Sequence, residues 1–210
     1  MLKERKTDNF SMRITLETLE TILGRNGLRS VLNHSHLPFY IDNYPPDNDE
    51  LEIPLSHIHS LHSSLTELFG RKGVRSLQLH IGQEICRIGI ERRSSIVRAL
   101  KIGTKILSES QRMRMALEKY MEQAEKRQPT PNGTPRFQLH EEADYFELID
   151  TDYHMGKGVQ SEWPVCNDIV GTLSYLLTWV SGHSHEIKEV RCQAMGDPAD
   201  VFRIYKENKH

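Results

Sequence analysis

A chain of 210 residues is long enough to bury one sizeable core, and 37% hydrophobic with 27% charged residues is the composition of a folded domain, not of a disordered tail. Its 27 basic and 29 acidic side chains nearly cancel, at a net charge of −2, which argues against a surface built throughout to grip nucleic acid or acidic lipid. No apolar run approaches the roughly 18 residues of a membrane span, and the opening Met-Leu-Lys-Glu-Arg-Lys is not a secretion signal. Cys86, Cys166 and Cys192 are too few for a disulfide scaffold, so the chain reads as soluble and cytoplasmic, with free or metal-bound thiols and no direct nucleic-acid binding.

In chain order, residues 1–12 are charged and aperiodic and read as a flexible or dimer-associated arm. Residues 13–206 read as a single domain, with a helical part at 13–127, a linker at 128–135 and a sheet-containing part at 136–206. Ile14, Leu16, Leu19, Ile22, Leu23 and Leu28 fall at helical spacing, with a break expected near Gly24. A proline-bearing loop spans 34–54; Ser56 then caps a helix that stops at Gly70, and the pattern resumes from Val74 to Ile90. Ile96, Leu100, Gly103, Leu107, Met113, Leu117, Met121 and Ala124 predict one long amphipathic helix from about Ser94 to Lys126. Residues 71–127 carry an excess of eight positive charges, read as a solvated helix face.

After the linker, 137–139 and 145–149 read as a hairpin. Pro164 opens an apolar helix through Val165, Ile169, Val170, Leu173, Leu176, Leu177 and Val180 that ends at Gly182. The runs 185–193 and 201–205 close the chain as a β-hairpin, so the fold class is α+β, and no internal repeat stands out.

The hydrolase elbow, the phosphate loop and the dinucleotide fingerprint are all absent, and no nicotinamide or flavin motif is visible. His57, His59 and His62 read as surface histidines, and His34, His36, His183 and His185 as loop residues or strand ends. Cys166, at a helix start, should have a depressed pKa suited to metal binding, and Asp200 lies across the closing turn from Cys192. Zinc could be held there, or both cysteines could be plain core residues.

The stretch Glu189-Val-Arg-Cys192 through Gly196-Asp197 to Asp200-Val-Phe202 resembles the closing signature of the 4-vinyl-reductase-type, hydrocarbon-binding domain family. Members end with Glu-x-x-Cys, a Gly-Asp turn and Cys-x-Phe; Cys192 and Phe202 match, and Asp200 stands where the second cysteine usually is. Cys166, Gly171, Leu173, Gly182 and the pair Gly82 and Gly89 extend the resemblance over roughly 70–206.

The resemblance implies helices packed on a small, mostly antiparallel sheet, similar to TRAPP vesicle-tethering subunits and nitric-oxide-sensing haem domains, and a homodimer. It also implies an apolar pocket for a small aromatic or tetrapyrrole-like ligand, and zinc held by cysteines and a carboxylate. We expect the metal ligands to be Cys166, Cys192, Asp200 and, upstream, Glu147. The pocket is expected between the long helix and the helix after Pro164, at Leu100, Leu107, Met113, Leu117, Trp163, Leu173, Leu176 and Leu177, with few polar groups. Such a module senses or delivers a hydrophobic molecule. The alternatives are a 4-vinyl reductase or accessory protein of chlorophyll biosynthesis, and a structural adaptor with a filled pocket.

Overall fold

The structure, a computed structural model, describes residues 5–92, 107–130, 133–154 and 158–207. Among these, β1 (Lys6–Thr7) leads into α1 (Asn9–His34), β2 (Ile53–Pro54) into α2 (Leu55–Arg92), and α3 (Glu109–Arg127), β3 (Phe137–Glu141), β4 (Tyr145–Asp150), α4 (Asn167–Ser181), β5 (Ile187–Arg191) and β6 (Asp200–Tyr205) follow. The α+β class expected from the sequence is the class found.

The N-terminal stretch is woven into the molecule from Arg5 onward. Lys6 and Thr7 pair antiparallel with Pro54 and Ile53, Arg5 reaches Asp152 at 2.8 Å, and Asp8 caps α1 by accepting the Ser11 N–H at 2.6 Å. Arg5 and Asp8, two of the charges that made this segment look like a loose arm, are engaged by these contacts.

Both N-terminal helices bend at a glycine with the same left-handed backbone, Gly24 at φ 70° and ψ 167° and Gly70 at φ 64° and ψ 174°. The surrounding sequences match as well, Leu19 to Ser30 reading Leu-Glu-Thr-Ile-Leu-Gly-Arg-Asn-Gly-Leu-Arg-Ser and Leu65 to Ser76 reading Leu-Thr-Glu-Leu-Phe-Gly-Arg-Lys-Gly-Val-Arg-Ser. An internal repeat is therefore present. It escapes a search for periodicity because two copies establish no period, and the shared backbone makes it visible.

Two cores result. Met12, Leu16, Leu19, Leu61, Leu65 and Ile81 fill the space between α1 and α2. Met113, Leu117, Phe146, Leu173, Leu177 and Phe202 fill the space between α3, α4 and the sheet. The sheet is antiparallel in the order β3-β4-β6-β5, with the closing hairpin pairing Glu189 with Phe202.

The second half of α2 joins the two cores by lying directly on α4. A Cβ at Gly82 would stand 1.9 Å from the Asp168 carbonyl oxygen, and one at Gly171 would stand 2.0 Å from that of Leu79. Backbone touches backbone here, and the Thr172 hydroxyl donates to the Gly82 carbonyl at 3.1 Å. As the sequence reading required, α4 has neighbours on more than one side.

The long helix is shorter than its pattern suggested, beginning at Glu109. Ser108 accepts the Gln111 N–H at 3.3 Å and its own N–H donates to the Gln111 side chain at 2.8 Å, a reciprocal cap that starts a helix. Leu100 and the rest of 93–106 lie outside the described residues. No helix among the described residues is long and apolar enough to cross a membrane.

Candidate ligand cavity and metal centre

At the start of α4 and the closing hairpin, ligand atoms of Cys166, Glu189, Cys192 and Asp200 all lie within 4.8 Å of one another. The local backbone explains the convergence. In a regular strand, residues three apart point to opposite faces, but a register shift between Glu189 and Arg191 inserts an extra residue in β5 and turns Glu189 and Cys192 to the same side. Asp200 opens β6, and Cys166 is the N-cap residue of α4, its N–H donating to Glu189 at 2.9 Å.

Four acidic groups cannot share such a space without conflict. Burial raises Glu189 to about 9 and Asp200 to about 7. The hydrogen bond from Cys166 brings Cys192 down to about 5, and that bond together with burial pushes Cys166 well up. The activated thiol is thus Cys192, not Cys166 as the helix-start position suggested, because Cys166 serves as its donor. Glu189 Oε1 is buried with no hydrogen-bond partner. Two sulfurs and two carboxylates around one point, one carboxylate with an orphaned oxygen, form a donor set that fits a divalent zinc-type cation.

Glu147 takes no part. It sits on β4 opposite Arg203, which donates to it at 2.7 Å, and is a surface ion-pair residue. The fourth member of the cluster is Glu189, which stands in the Glu-x-x-Cys spacing; that spacing brings it to the side of Cys192 only with the bulge.

A second feature lies between the two cores, a cavity of about 180 Å3. Thr7, Thr15 and His62 line it from the N-terminal half; Ala116, Tyr120 and Gln123 line it from α3; Arg136, Tyr153 and His154 come from around the sheet; and Asp168, Thr172 and Leu176 come from α4. The two walls are the helices expected from sequence, but α3 presents a different face. Met113 and Leu117 are fully buried in the C-terminal core, and the cavity meets Ala116 and Tyr120, a rotation of about 60° around the helix.

Leu173 and Leu177 likewise fill the core, while Leu176 does line the cavity. Leu107 is half-buried ahead of α3, its carbonyl accepting from Arg112 at 3.1 Å. Trp163 borders another cavity, of about 260 Å3, under the Arg71 guanidinium 4.1 Å from its ring.

The cavity wall is largely apolar, yet more polar groups reach it than expected. Tyr153 donates a hydrogen bond to Asp168, whose other oxygen is buried and unpartnered. His154 packs on Tyr153 at 4.6 Å between ring centres, and both of its ring nitrogens are buried without a hydrogen-bond partner. Burial holds His154 well below the ordinary histidine range, with His62 and Arg136 adding to the effect, and pushes Tyr153 well up. His62 is buried, not on the surface, its Nδ1 lying 3.3 Å from Gln78, which also accepts from Asn167 of α4 at 3.0 Å. These residues come from distant segments, and no local pattern joins them.

Neither a model of a known protein family nor a curated protein sequence matches the chain. Solved structures do match in fold. An Fe(II) unliganded H-NOX protein from K. algicida superposes with a TM-score of 0.65 at 14% identity, over 97% of this chain and 98% of that one. An oxygen-binding H-NOX domain related to soluble guanylate cyclases gives 0.55 at 12% identity over 92% of each chain. The phenol-responsive sensory domain of the transcription activator PoxR, with phenol, gives 0.53 at 14% identity over 77% of this chain and 79% of that one. The chain therefore has an H-NOX-like α+β fold.

Proposed function

We propose that this chain is a small-molecule sensing domain whose central cavity takes one aromatic ring bearing a hydroxyl group. The observation that carries this reading is the pairing of a cavity of about 180 Å3 with buried polar groups left unpartnered inside it. A cavity of about 150 Å3 is known to accept benzene, whereas drug-sized ligands need about 300 Å3 or more. This space is smaller than a haem or another tetrapyrrole requires, so we assign the pocket to single-ring ligands. His154 and Asp168 can exchange hydrogen bonds with a phenolic hydroxyl, and Leu176, Ile58 and Ile169 would cover the ring. The likeness to a phenol-responsive sensory domain supports the same chemistry.

In this reading a structural zinc ion, implied by the resemblance of the closing hairpin to 4-vinyl-reductase-type domains, is held by Cys166, Cys192 and Asp200, with Glu189 in the place first given to Glu147. The ion would displace the Cys166 proton, balance the charge of the two thiolates so formed and cross-link the hairpin to α4. Cys166 and Asp168 are two residues apart, so a ligand pressing on Asp168 and a metal held by Cys166 act on one helical turn. The domain would report occupancy by a shift of α4 against α2.

The test is thermal unfolding of the full chain with phenol, catechol and haem, combined with metal analysis. Phenols should raise the midpoint, haem should not be taken up, and the Cys166→Ser, Cys192→Ser pair should lose the zinc. Stoichiometric haem uptake with no response to any phenol would overturn the ligand assignment.

A further inference from the structure

The turn between α4 and β5 carries His183 and His185, and both face Glu109 at the start of α3. The same carboxylate oxygen, Glu109 Oε1, lies 2.8 Å from His183 Nε2 and 3.9 Å from His185 Nε2, with the rings 4.6 Å apart. Each imidazole turns its other nitrogen to a main-chain carbonyl. His183 Nδ1 is 3.1 Å from the Ser184 oxygen and His185 Nδ1 is 3.1 Å from the Tyr205 oxygen. Those carbonyls commit the Nδ1 protons, so that loss of the Nε2 proton gives the tautomer of a metal-bound histidine; on His183 that proton is held by Glu109, and the Ser184 carbonyl together with Glu109 raises the imidazole's pKa.

Ser181 also reaches into this convergence. Ser181 Oγ approaches His185 Nε2 at 2.9 Å, but its single proton is also claimed by the carbonyls of Leu177 at 2.8 Å and His183 at 2.9 Å. His185 has a fully buried side chain, and burial keeps it neutral. Two imidazole Nε2 atoms and a carboxylate oxygen thus meet at one point from two separate segments, where a metal cation can take the place of the proton held between His183 and Glu109. Ligands about 2.1 Å from a tetrahedral ion stand about 3.4 Å apart, which falls between the two observed separations.

We propose that Glu109, His183 and His185 form a second metal site, for a divalent ion of the zinc, nickel and copper class, independent of the sulfur cluster. Imidazole and carboxylate suit those ions, and the remaining coordination positions stay open to water. The bound ion would fasten the first turn of α3, a wall of the cavity, to the beginning of β5.

Cobalt(II) titration of the full chain tests this, read by absorbance and by metal per chain. The site should take up one equivalent showing visible d–d bands without sulfur-to-cobalt charge transfer, whether or not a second, sulfur-type equivalent also binds. His183→Ala and Glu109→Gln should each weaken that equivalent at least about tenfold and leave any sulfur-type equivalent unchanged. His183 is half-exposed, so its replacement spares the core, and circular dichroism confirms the fold of both variants. Uptake of sulfur-type cobalt alone, no uptake at all, or binding unchanged in both variants would overturn the proposal.

Discussion

The sulfur cluster and the cavity are both assembled around the first turn of α4, yet they are built in opposite ways. The cluster draws Glu189, Cys192 and Asp200 from one hairpin and adds only Cys166 from outside it. The cavity draws Thr7, His62, Tyr120, Arg136, His154 and Asp168 from six segments that meet only once both cores have formed. A site held by a local turn survives as a spacing in the sequence. A site held by packing leaves no such trace, and its residues look like isolated surface or core positions until the fold brings them together.

What joins the two sites is the backbone contact of α2 with α4, and breaking it should have the largest effect. Gly82→Val drives a side chain into the Asp168 carbonyl, because a Cβ at this position would stand only 1.9 Å from the oxygen. Separating the helices should destabilise the chain by about 3 kcal/mol and disturb cavity and cluster together, as denaturant unfolding, phenol titration and metal-binding measurements would report.

The cavity can be altered by itself through His154. Its pKa is pushed well below the ordinary value by burial, whereas in the unfolded chain it returns to about 6.5. A depressed group contributes stability that is complete above the unfolded pKa and lost as the pH falls below it. The melting midpoint should therefore fall between about pH 6.5 and pH 5. His154→Phe, which removes the unpartnered nitrogens and fills space, should flatten that fall and add about 1–2 kcal/mol near pH 6. An undiminished fall in the variant would assign the titration elsewhere.

Smaller still are the two helix bends. Gly24→Ala and Gly70→Ala each force a side chain into a left-handed backbone with open space around the Cβ, so each should cost about 1 kcal/mol, and nearly the same amount. Unequal costs would mean that the repeat is a likeness of sequence alone. At the bottom of the scale, Glu147→Ala removes a surface pair with Arg203 and should change stability by no more than about 0.5 kcal/mol without affecting metal content.

The same contrast accounts for what could be read from the sequence. Helix and strand periodicity marked α1, α2, α4 and all four strands of the main sheet, because each buries one face and the burial imposes the period. The boundary of α3 was hidden, since Ser108 and Gln111 cap a helix inside an apolar pattern that runs on through Leu107 and Leu100. Cys166, Cys192 and Asp200 were legible as partners from their places at a helix start and across a turn. Glu189 was not, because its side depends on the bulge. Of the seven residues first assigned to the pocket that lie among the described residues, Leu176 lines the central cavity, because apolarity marks burial and does not distinguish a core wall from a cavity wall.

Whether polar groups inside the cavity select a hydroxylated ring is decided by calorimetric titration of the full chain and of His154→Phe with phenol and with toluene. Phenol should bind about tenfold more tightly than toluene, the worth of one buried hydrogen bond, and the preference should disappear in the variant. Equal affinity for the two rings, or a preference that survives the loss of His154, would contradict the assignment.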